Sequence, residues 1–203
     1  MSPRPPVVVV NGLGAPRLAA VAYGRALERH GFRTFVAPQR LLGYGDVRVA
    51  AKLVAGEVKR VLAETGERKV HLVGMSLGGL IGLYYVKCLG GARDVERFVS
   101  VGGPLNGSSL ARLVEALPFG PAHALAQTTP DNELMRELRK AEPPRDVRMF
   151  SVGTRGDVMT PRSSWDAAGL EPVESPYGVF PIGHWMLFTD PRNVAVVADC
   201  LTR

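Results

Sequence analysis

Short runs of β-branched residues alternate along the chain with longer amphipathic segments. Strands are predicted at residues 7–10, 32–36, 69–74, 96–101, 147–152 and, more weakly, 173–180. Helices are predicted at residues 16–30, 77–89, 110–117, 133–141, from Asp46 as N-cap to a stop at Gly66, and from Asp190 onward. This alternation predicts one α/β domain over residues 1–203, with a mostly parallel sheet of about six strands and helices on both faces.

The segment at residues 104–144 departs from this rhythm. In a parallel α/β sheet it would lie as an insertion above the carboxyl ends of the strands, where ligands bind. Its amphipathic part, residues 110–125, is compatible with a small lid and equally with a helix that covers the sheet. Because the insertion is short, we expect a minimal lid or none.

Composition narrows the class of protein. Hydrophobic residues make up 46% of the 203 residues and charged residues 22%, which excludes a disordered chain. The net charge is +6, but the basic residues are scattered, so we expect a basic globular surface and no nucleic-acid partner. The four histidines and two cysteines share no metal-ligand spacing, so we expect no metal and no cofactor.

The lengths of the apolar stretches indicate where in the cell the protein is expected. The apolar run near the start is four valines, too short for a signal peptide. The longest apolar stretch, residues 70–86, is interrupted by His71, Ser76 and four glycines, so no stable membrane insertion is expected. We therefore expect a soluble, cytoplasmic protein, although a secreted protein whose leader was removed before this numbering would have the same sequence.

A candidate nucleophile follows the third predicted strand, in Gly74-Met75-Ser76-Leu77-Gly78. A buried strand enters this string and a helix leaves it. Such a tight turn strains the serine and exposes its hydroxyl, and it needs glycine on both sides where the chain packs closely. The alternative is a Ser that simply caps a Gly-rich helix start, which would not require small residues on both sides.

The chain here resembles the α/β-hydrolase superfamily, and within it the small bacterial lipases and esterases. Residues 54–91 are similar to the lipase order of helix, strand, nucleophile turn and aromatic helix, and residues 101–108 are similar to the lipase "GTPHxGS" segment. The sequence differs from the lipase patterns at Met75, Gly103 and Leu105. These differences would change which substrate the pocket accepts more than the class of reaction. The implied fold places the helices of Cys88 and Cys200 on opposite faces of the sheet, which predicts two free thiols.

The resemblance implies the chain order serine, acid, histidine. His184, in the loop before the last helix, matches the family's "GH" and is the expected base. The alternative is a loop histidine packed by Trp185. His71 is predicted to lie within a strand, His30 at a helix end and His123 in the insertion.

The expected acid is Asp157, which follows the fifth predicted strand in a segment similar to the family's acid loop. A carboxylate there would hold the imidazole in the required tautomer and stabilise its cation. The alternative is an ordinary turn aspartate after Gly156. Asp166 is the fallback, whereas Asp146 should lie at the wrong end of its strand.

The family's oxyanion loop corresponds to residues 10–14 here. The resemblance implies that the backbone N–H groups of Leu13 and Leu77 hold the oxyanion. Asn11 replaces the usual histidine, and its amide could hold the loop by hydrogen bonds. A Gly-x-Gly string can also bind phosphate, but Arg17 occupies the position of the third fingerprint glycine.

The expected function is a serine carboxylic-ester hydrolase, of lipase or esterase type, acting through an acyl-enzyme on a small ester or lipid. An acyltransferase using the same acyl-enzyme, or a non-catalytic binding protein on this fold, is the alternative. Acyl-chain length and oligomeric state stay open. Candidate walls for an acyl pocket are the apolar side chains of Leu13, Leu77, Leu105, Leu110, Leu113, Trp185 and Met186.

Overall fold

The centre of the molecule is a parallel β-sheet. The computed structural model describes residues 4–39, 45–108, 111 and 121–203. Its strands are β1 (Val7–Val10), β2 (Thr34–Val36), β3 (Val70–Met75), β4 (Val95–Val101), β5 (Arg148–Gly153) and β6 (Glu171–Glu174). They lie in the order β2-β1-β3-β4-β5-β6, and each neighbouring pair is parallel. The predicted fold class is therefore confirmed.

Helices connect the strands. They are α1 (Arg17–Glu28), α2 (Val47–Thr65), α3 (Leu77–Cys88), α4 (Pro121–Ala126), α5 (Glu133–Lys140), α6 (Arg162–Trp165), α7 (Gly183–Thr189) and α8 (Pro191–Cys200), with a 3₁₀ turn at Gly91–Arg93. Helix α2 has the predicted ends: the Asp46 carboxylate accepts from the Arg48 N–H at 2.6 Å, and Gly66 is left-handed with φ 71°. In the described ranges, no helix is both long and apolar enough to cross a membrane.

The sheet is buried on both faces, which explains the run of four valines in β1. Val8 and Val10 pack into a layer with α2 and α3, whereas Val7 and Val9 pack into a layer with α1 and α8. Successive side chains of a strand point to opposite faces, so a strand covered on both sides is apolar throughout. Cys88 contacts the first layer and Cys200 lies in the second, as predicted for two thiols separated by the sheet.

Two predicted elements differ from the structure. The last strand was expected at residues 173–180, but β6 spans Glu171–Glu174, and the Ser175 N–H just beyond it bonds to the Gly153 carbonyl at the end of β5. The loop expected around His184 is instead helix α7. The predicted helix at 110–117 lies, apart from residue 111, outside the described residues, so the lid over 104–144 stays a prediction.

His71 on β3 is buried against the edge of the Phe32 ring, with no hydrogen-bond partner for its Nδ1. Burial lowers the pKa of this imidazole from 6.5 to about 4. The unfolded chain therefore binds a proton at a higher pH than the folded chain does. Acidification through this window favours unfolding, and the contribution of His71 to stability is complete only above about pH 6.5.

We predict that His71→Leu reduces the acid sensitivity of the fold. Between about pH 6.5 and 4, the wild type should lose up to about 3 kcal/mol more unfolding free energy than the variant, because a leucine side chain cannot bind a proton. Urea denaturation at a series of pH values measures this difference. Parallel stability–pH curves for the two proteins would contradict the assignment.

Candidate active site

Ser76 stands in the turn between β3 and α3. Its backbone has φ 50° and ψ −123°, and it is the one non-glycine residue with positive φ among those the structure describes. Its N–H still bonds to the Val101 carbonyl of the neighbouring strand at 2.8 Å. A serine in this uncommon conformation is held by its surroundings, and the turn presents its hydroxyl above the carboxyl end of the sheet.

The glycines on both sides allow this turn to close. A Cβ built on Gly74 would lie 2.4 Å from the Gly78 carbonyl oxygen. A Cβ built on Gly78 would lie 2.3 Å from the Val10 carbonyl oxygen. Each clash is with backbone, which cannot move aside as a flexible side chain can. Ser76 is therefore brought close to the loop that follows β1.

His184 and Asp157 complete a line of hydrogen bonds with Ser76. The Ser76 Oγ lies 3.0 Å from His184 Nε2, and His184 Nδ1 lies 2.7 Å from Asp157 Oδ2. His184 is 2% exposed and Asp157 is 3% exposed, so water is largely excluded from their contact. With Nδ1 protonated and donating to Asp157, Nε2 is free to accept the proton of the serine hydroxyl.

Direct backbone contact holds the loop that carries Asp157 against helix α7, which carries His184. The Gly183 N–H bonds to the Gly156 carbonyl at 3.1 Å, and Asp157 forms an isolated β-bridge with Ile182. A Cβ on Gly183 would lie 2.4 Å from the Gly156 carbonyl carbon, so a side chain there would separate the two loops. This contact brings Asp157 and His184 together although they lie far apart along the chain.

The sequence analysis did not identify Thr160 as part of this site. Asp157 Oδ1 accepts from the N–H groups of Met159 and Thr160, at 2.9 and 2.8 Å, while its Oδ2 accepts from the Thr160 hydroxyl at 2.7 Å. The same hydroxyl lies 3.1 Å from the Gly102 carbonyl. The spacing of an aspartate followed by a threonine three residues later was the available signal, since aspartates often bond to their own following backbone.

The loop after β1 lies next to the serine, as the resemblance implied. Leu13 and Leu77 line the cavity that opens onto Ser76, and a Cβ on Gly12 would lie 3.1 Å from Ser76 Cβ. The side-chain amide of Asn11 holds this loop: its Nδ2 donates to the Ala15 and Pro16 carbonyls at 2.9 and 3.0 Å. Its Oδ1 accepts from the Gly12 N–H at 3.0 Å.

A largely apolar cavity of about 220 Å³ lies beside Ser76 and His184. Of the predicted wall residues, Leu13, Leu77 and Trp185 line it. Leu105 was expected there, but it does not line this cavity and lies buried in the core cluster that includes Leu83 and Leu138. Met186 is also not among the lining residues, while Leu110 and Leu113 lie outside the described residues.

The alternative acids and bases lie elsewhere. Asp166 is partly exposed and pairs with Arg162 at 3.4 Å. Asp146 precedes β5 and His30 follows α1, so both belong to the opposite edge of the sheet from Ser76. His71 is in the interior of β3. Among the residues that the structure describes, no group of His, Cys, Asp and Glu is placed to hold a metal ion.

The family model described as alpha/beta hydrolase fold matches residues 5–141, so the chain belongs to that family. Two triacylglycerol lipases, from Pseudarthrobacter phenanthrenivorans and Burkholderia plantarii, are each 36% identical to it over 122 residues. That match covers 55% of this chain and 37% and 33% of the two lipases, so the chain matches about a third of their length.

Solved structures share the fold. The mature Bacillus licheniformis lipase BlEst2 superposes with a TM-score of 0.79 at 16% identity, covering 99% of this chain and 93% of that one. Aspergillus fumigatus lipase B also gives a TM-score of 0.79, at 20% identity, and covers 100% of this chain but 53% of the larger protein.

We predict that Thr160→Val slows the reaction of Ser76 with a fluorophosphonate probe by about tenfold. The valine has nearly the same shape but leaves Asp157 Oδ2 without a hydroxyl donor, and hydrogen bonds to charged groups contribute about 1.5–3 kcal/mol. The labelling rate, followed by mass spectrometry, is the measurement. Thr160→Ser keeps the hydroxyl and should label at the wild-type rate. Equal labelling rates for the valine and serine variants would show that the Thr160 hydroxyl does not support the reactivity of Ser76.

Proposed function

We propose that this chain hydrolyses carboxylic esters through an acyl-enzyme on Ser76. The observation that carries the proposal is the buried line of hydrogen bonds from Ser76 Oγ through the His184 ring to Asp157, at 3.0 and 2.7 Å. A serine hydroxyl becomes an effective nucleophile when a correctly oriented base accepts its proton. The lipases among its relatives support the same reaction class.

In the acylation step, Ser76 Oγ bonds to the ester carbonyl carbon while His184 Nε2 takes its proton. The electron pair of the carbonyl moves onto its oxygen, and Asp157 stabilises the imidazolium that forms. When the tetrahedral intermediate collapses, the bond from carbon to the alcohol oxygen breaks. His184 returns its proton to that oxygen, so a neutral alcohol leaves and the acyl group stays on Ser76.

In the deacylation step, water replaces the alcohol. His184 Nε2 takes a proton from the water as its oxygen bonds to the acyl carbon. Collapse of the second intermediate breaks the bond to Ser76 Oγ, which recovers a proton from His184. The products are a carboxylic acid and the free enzyme.

The developing oxyanion would be held by the N–H groups of Leu13 and Leu77. Leu77 is the first residue of α3, so its N–H has no carbonyl partner within the helix and adds to the positive end of the helix dipole. Leu13 lines the same cavity from the loop after β1. Preorganised backbone donors of this kind favour the transition state over the ground state.

The surface around the cavity favours lipid esters over small soluble ones. The large apolar residues that are exposed in the described part of the chain are Leu18, Val49, Val158, Met159, Val179, Phe180, Ile182 and Trp185. They lie on the first turns of α1 and α2, on the loop that carries Asp157, and on helix α7 and the loop before it. Each of these segments follows the carboxyl end of a strand. The exposed apolar area therefore lies at the same edge of the sheet as Ser76.

We therefore infer that the ester is presented from an apolar assembly. Phe180 is 72% exposed and Trp185 is 60% exposed, and Trp185 also lines the cavity. A micelle or lipid droplet that covers this surface removes apolar area from water and brings an ester group to Ser76 in the same step. A small soluble ester would gain nothing from the outer part of the surface.

We predict that Ser76→Ala abolishes turnover of p-nitrophenyl esters and labelling by a fluorophosphonate. The loss should be at least about 10³-fold, since removing a member of such a triad leaves only the contribution of the oxyanion hole and of binding. Circular dichroism should show an unchanged fold. Activity retained in the variant would contradict the proposal, and product analysis with a competing alcohol would show whether water or the alcohol accepts the acyl group.

We predict that the double variant Val179→Ser, Phe180→Ser selectively loses activity on aggregated substrate. Hydrolysis of a long-chain ester in micelles should fall by about tenfold or more, because burying each apolar side chain contributes about 1.5–3 kcal/mol. Hydrolysis of p-nitrophenyl acetate in solution should stay unchanged and is the internal control. Equal losses on both substrates would mean that the two residues support the fold and not the interface.

A further inference from the structure

The oxyanion loop is held by a residue from the neighbouring strand connection. The Gly12 carbonyl accepts a hydrogen bond from Gln39 Nε2 at 2.7 Å. This carbonyl belongs to the same peptide group as the Leu13 N–H. Because a trans peptide is planar, its C=O and N–H point in opposite directions, and fixing one fixes the other.

We propose that Gln39 is a positioning residue for the oxyanion hole, acting through the Gly12–Leu13 peptide. The proposal rests on the proposed function, in which the Leu13 N–H donates to the oxyanion. Gln39 holds the carbonyl end of this peptide by a hydrogen bond at 2.7 Å, and this would keep the Leu13 N–H in the orientation that the oxyanion needs. A hydrogen bond accepted by a carbonyl also polarises its peptide, which makes the attached N–H a stronger donor.

The orientation of the Gln39 amide follows from its two partners. Its Oε1 accepts from Asn11 Nδ2 at 3.1 Å, while its Nε2 donates to the Gly12 carbonyl. The flipped amide would place two donors together at Asn11 and two acceptors together at Gly12. Only the present orientation satisfies both contacts, so Gln39 links the side chain that holds the loop to the peptide that carries the donor.

The sheet brings Gln39 to this place. Strand β2 pairs with β1 in parallel, and the Ala37 N–H continues the ladder by bonding to the Val9 carbonyl at 2.9 Å. The loop that follows β1 and the loop that follows β2 therefore begin next to each other. Pro38 restricts the backbone between Ala37 and Gln39, which directs the chain over the loop.

Gln39 contacts the backbone of the oxyanion loop and lies outside the lining of the cavity beside Ser76. It lines a second apolar cavity, of about 230 Å³, together with Asn11 and Leu77, and it is not among the residues lining the cavity that opens onto Ser76. Asn11 and Leu77 line both cavities. A change at Gln39 should therefore affect stabilisation of the transition state without changing the surface that binds the ester.

The test compares Gln39→Leu and Gln39→Glu with the wild type on a soluble p-nitrophenyl ester. We expect kcat to fall about tenfold with KM unchanged, a part of the roughly 10²–10³-fold loss seen when an oxyanion donor is removed outright. Affinity for a trifluoromethyl ketone, whose adduct with Ser76 carries the oxyanion, should fall by the same factor. The glutamate variant still accepts from Asn11 but cannot donate to Gly12 when ionised, so it should lose as much as the leucine variant.

Thr34→Ala is the matched control. Thr34 begins β2, the strand that leads to Gln39, and its hydroxyl donates a hydrogen bond to Glu28 at 2.7 Å. Removing that hydroxyl tests a purely structural loss in the same part of the chain. Its kcat and inhibitor affinity should equal those of the wild type.

The outcomes are distinguishable. An active wild type with unchanged kcat in both folded Gln39 variants would overturn the proposal and leave the proposed function intact. A fall in kcat without a matching loss of affinity for the trifluoromethyl ketone would overturn it as well. A wild type that neither turns over esters nor labels at Ser76 would overturn the proposed function, and the role of Gln39 with it.

Discussion

Close contact between backbones at the carboxyl edge of the sheet is the constraint on which the site depends. Gly74 and Gly78 let the two sides of the Ser76 turn pack against each other and against β1, while Gly183 lets helix α7 pack against the loop that carries Asp157. At each point a single Cβ would lie within about 2.4 Å of backbone, well inside contact distance. The hydrogen bond between Ser76 and His184 joins two elements that these contacts hold close to their neighbours.

A surrounding set of polar groups then orients what the backbone brings together. Thr160 holds the Asp157 carboxylate, Asn11 holds the loop after β1, and Gln39 connects that loop to the neighbouring strand. Their partners are buried or partly buried, where an unpaired polar group costs more than it does in water. The same edge of the sheet also carries the exposed apolar side chains, so the proposed catalytic residues and an apolar surface lie together.

Much of the fold was accessible from the sequence because its signals are local. The four valines of β1 predicted a strand covered on both faces, and Asp46 and Gly66 marked the ends of α2. Ser76 could be recognised because a strained turn needs glycine nearby in sequence. The errors occurred where local signals are weak: β6 ends earlier than its apolar pattern indicated, and His184 begins a short helix where a loop was expected.

The sequence by itself determined the alternation of strands and helices, the serine turn, and the candidates Asp157 and His184 in their order along the chain. Only the tertiary structure decided which side chains meet. It moved Leu105 from the expected pocket to the core and brought Thr160 and Gln39 into the site. The physical reason is that periodicity and turn preferences act over a few residues, whereas contact at a sheet edge depends on strand order and register, which join residues far apart in the chain.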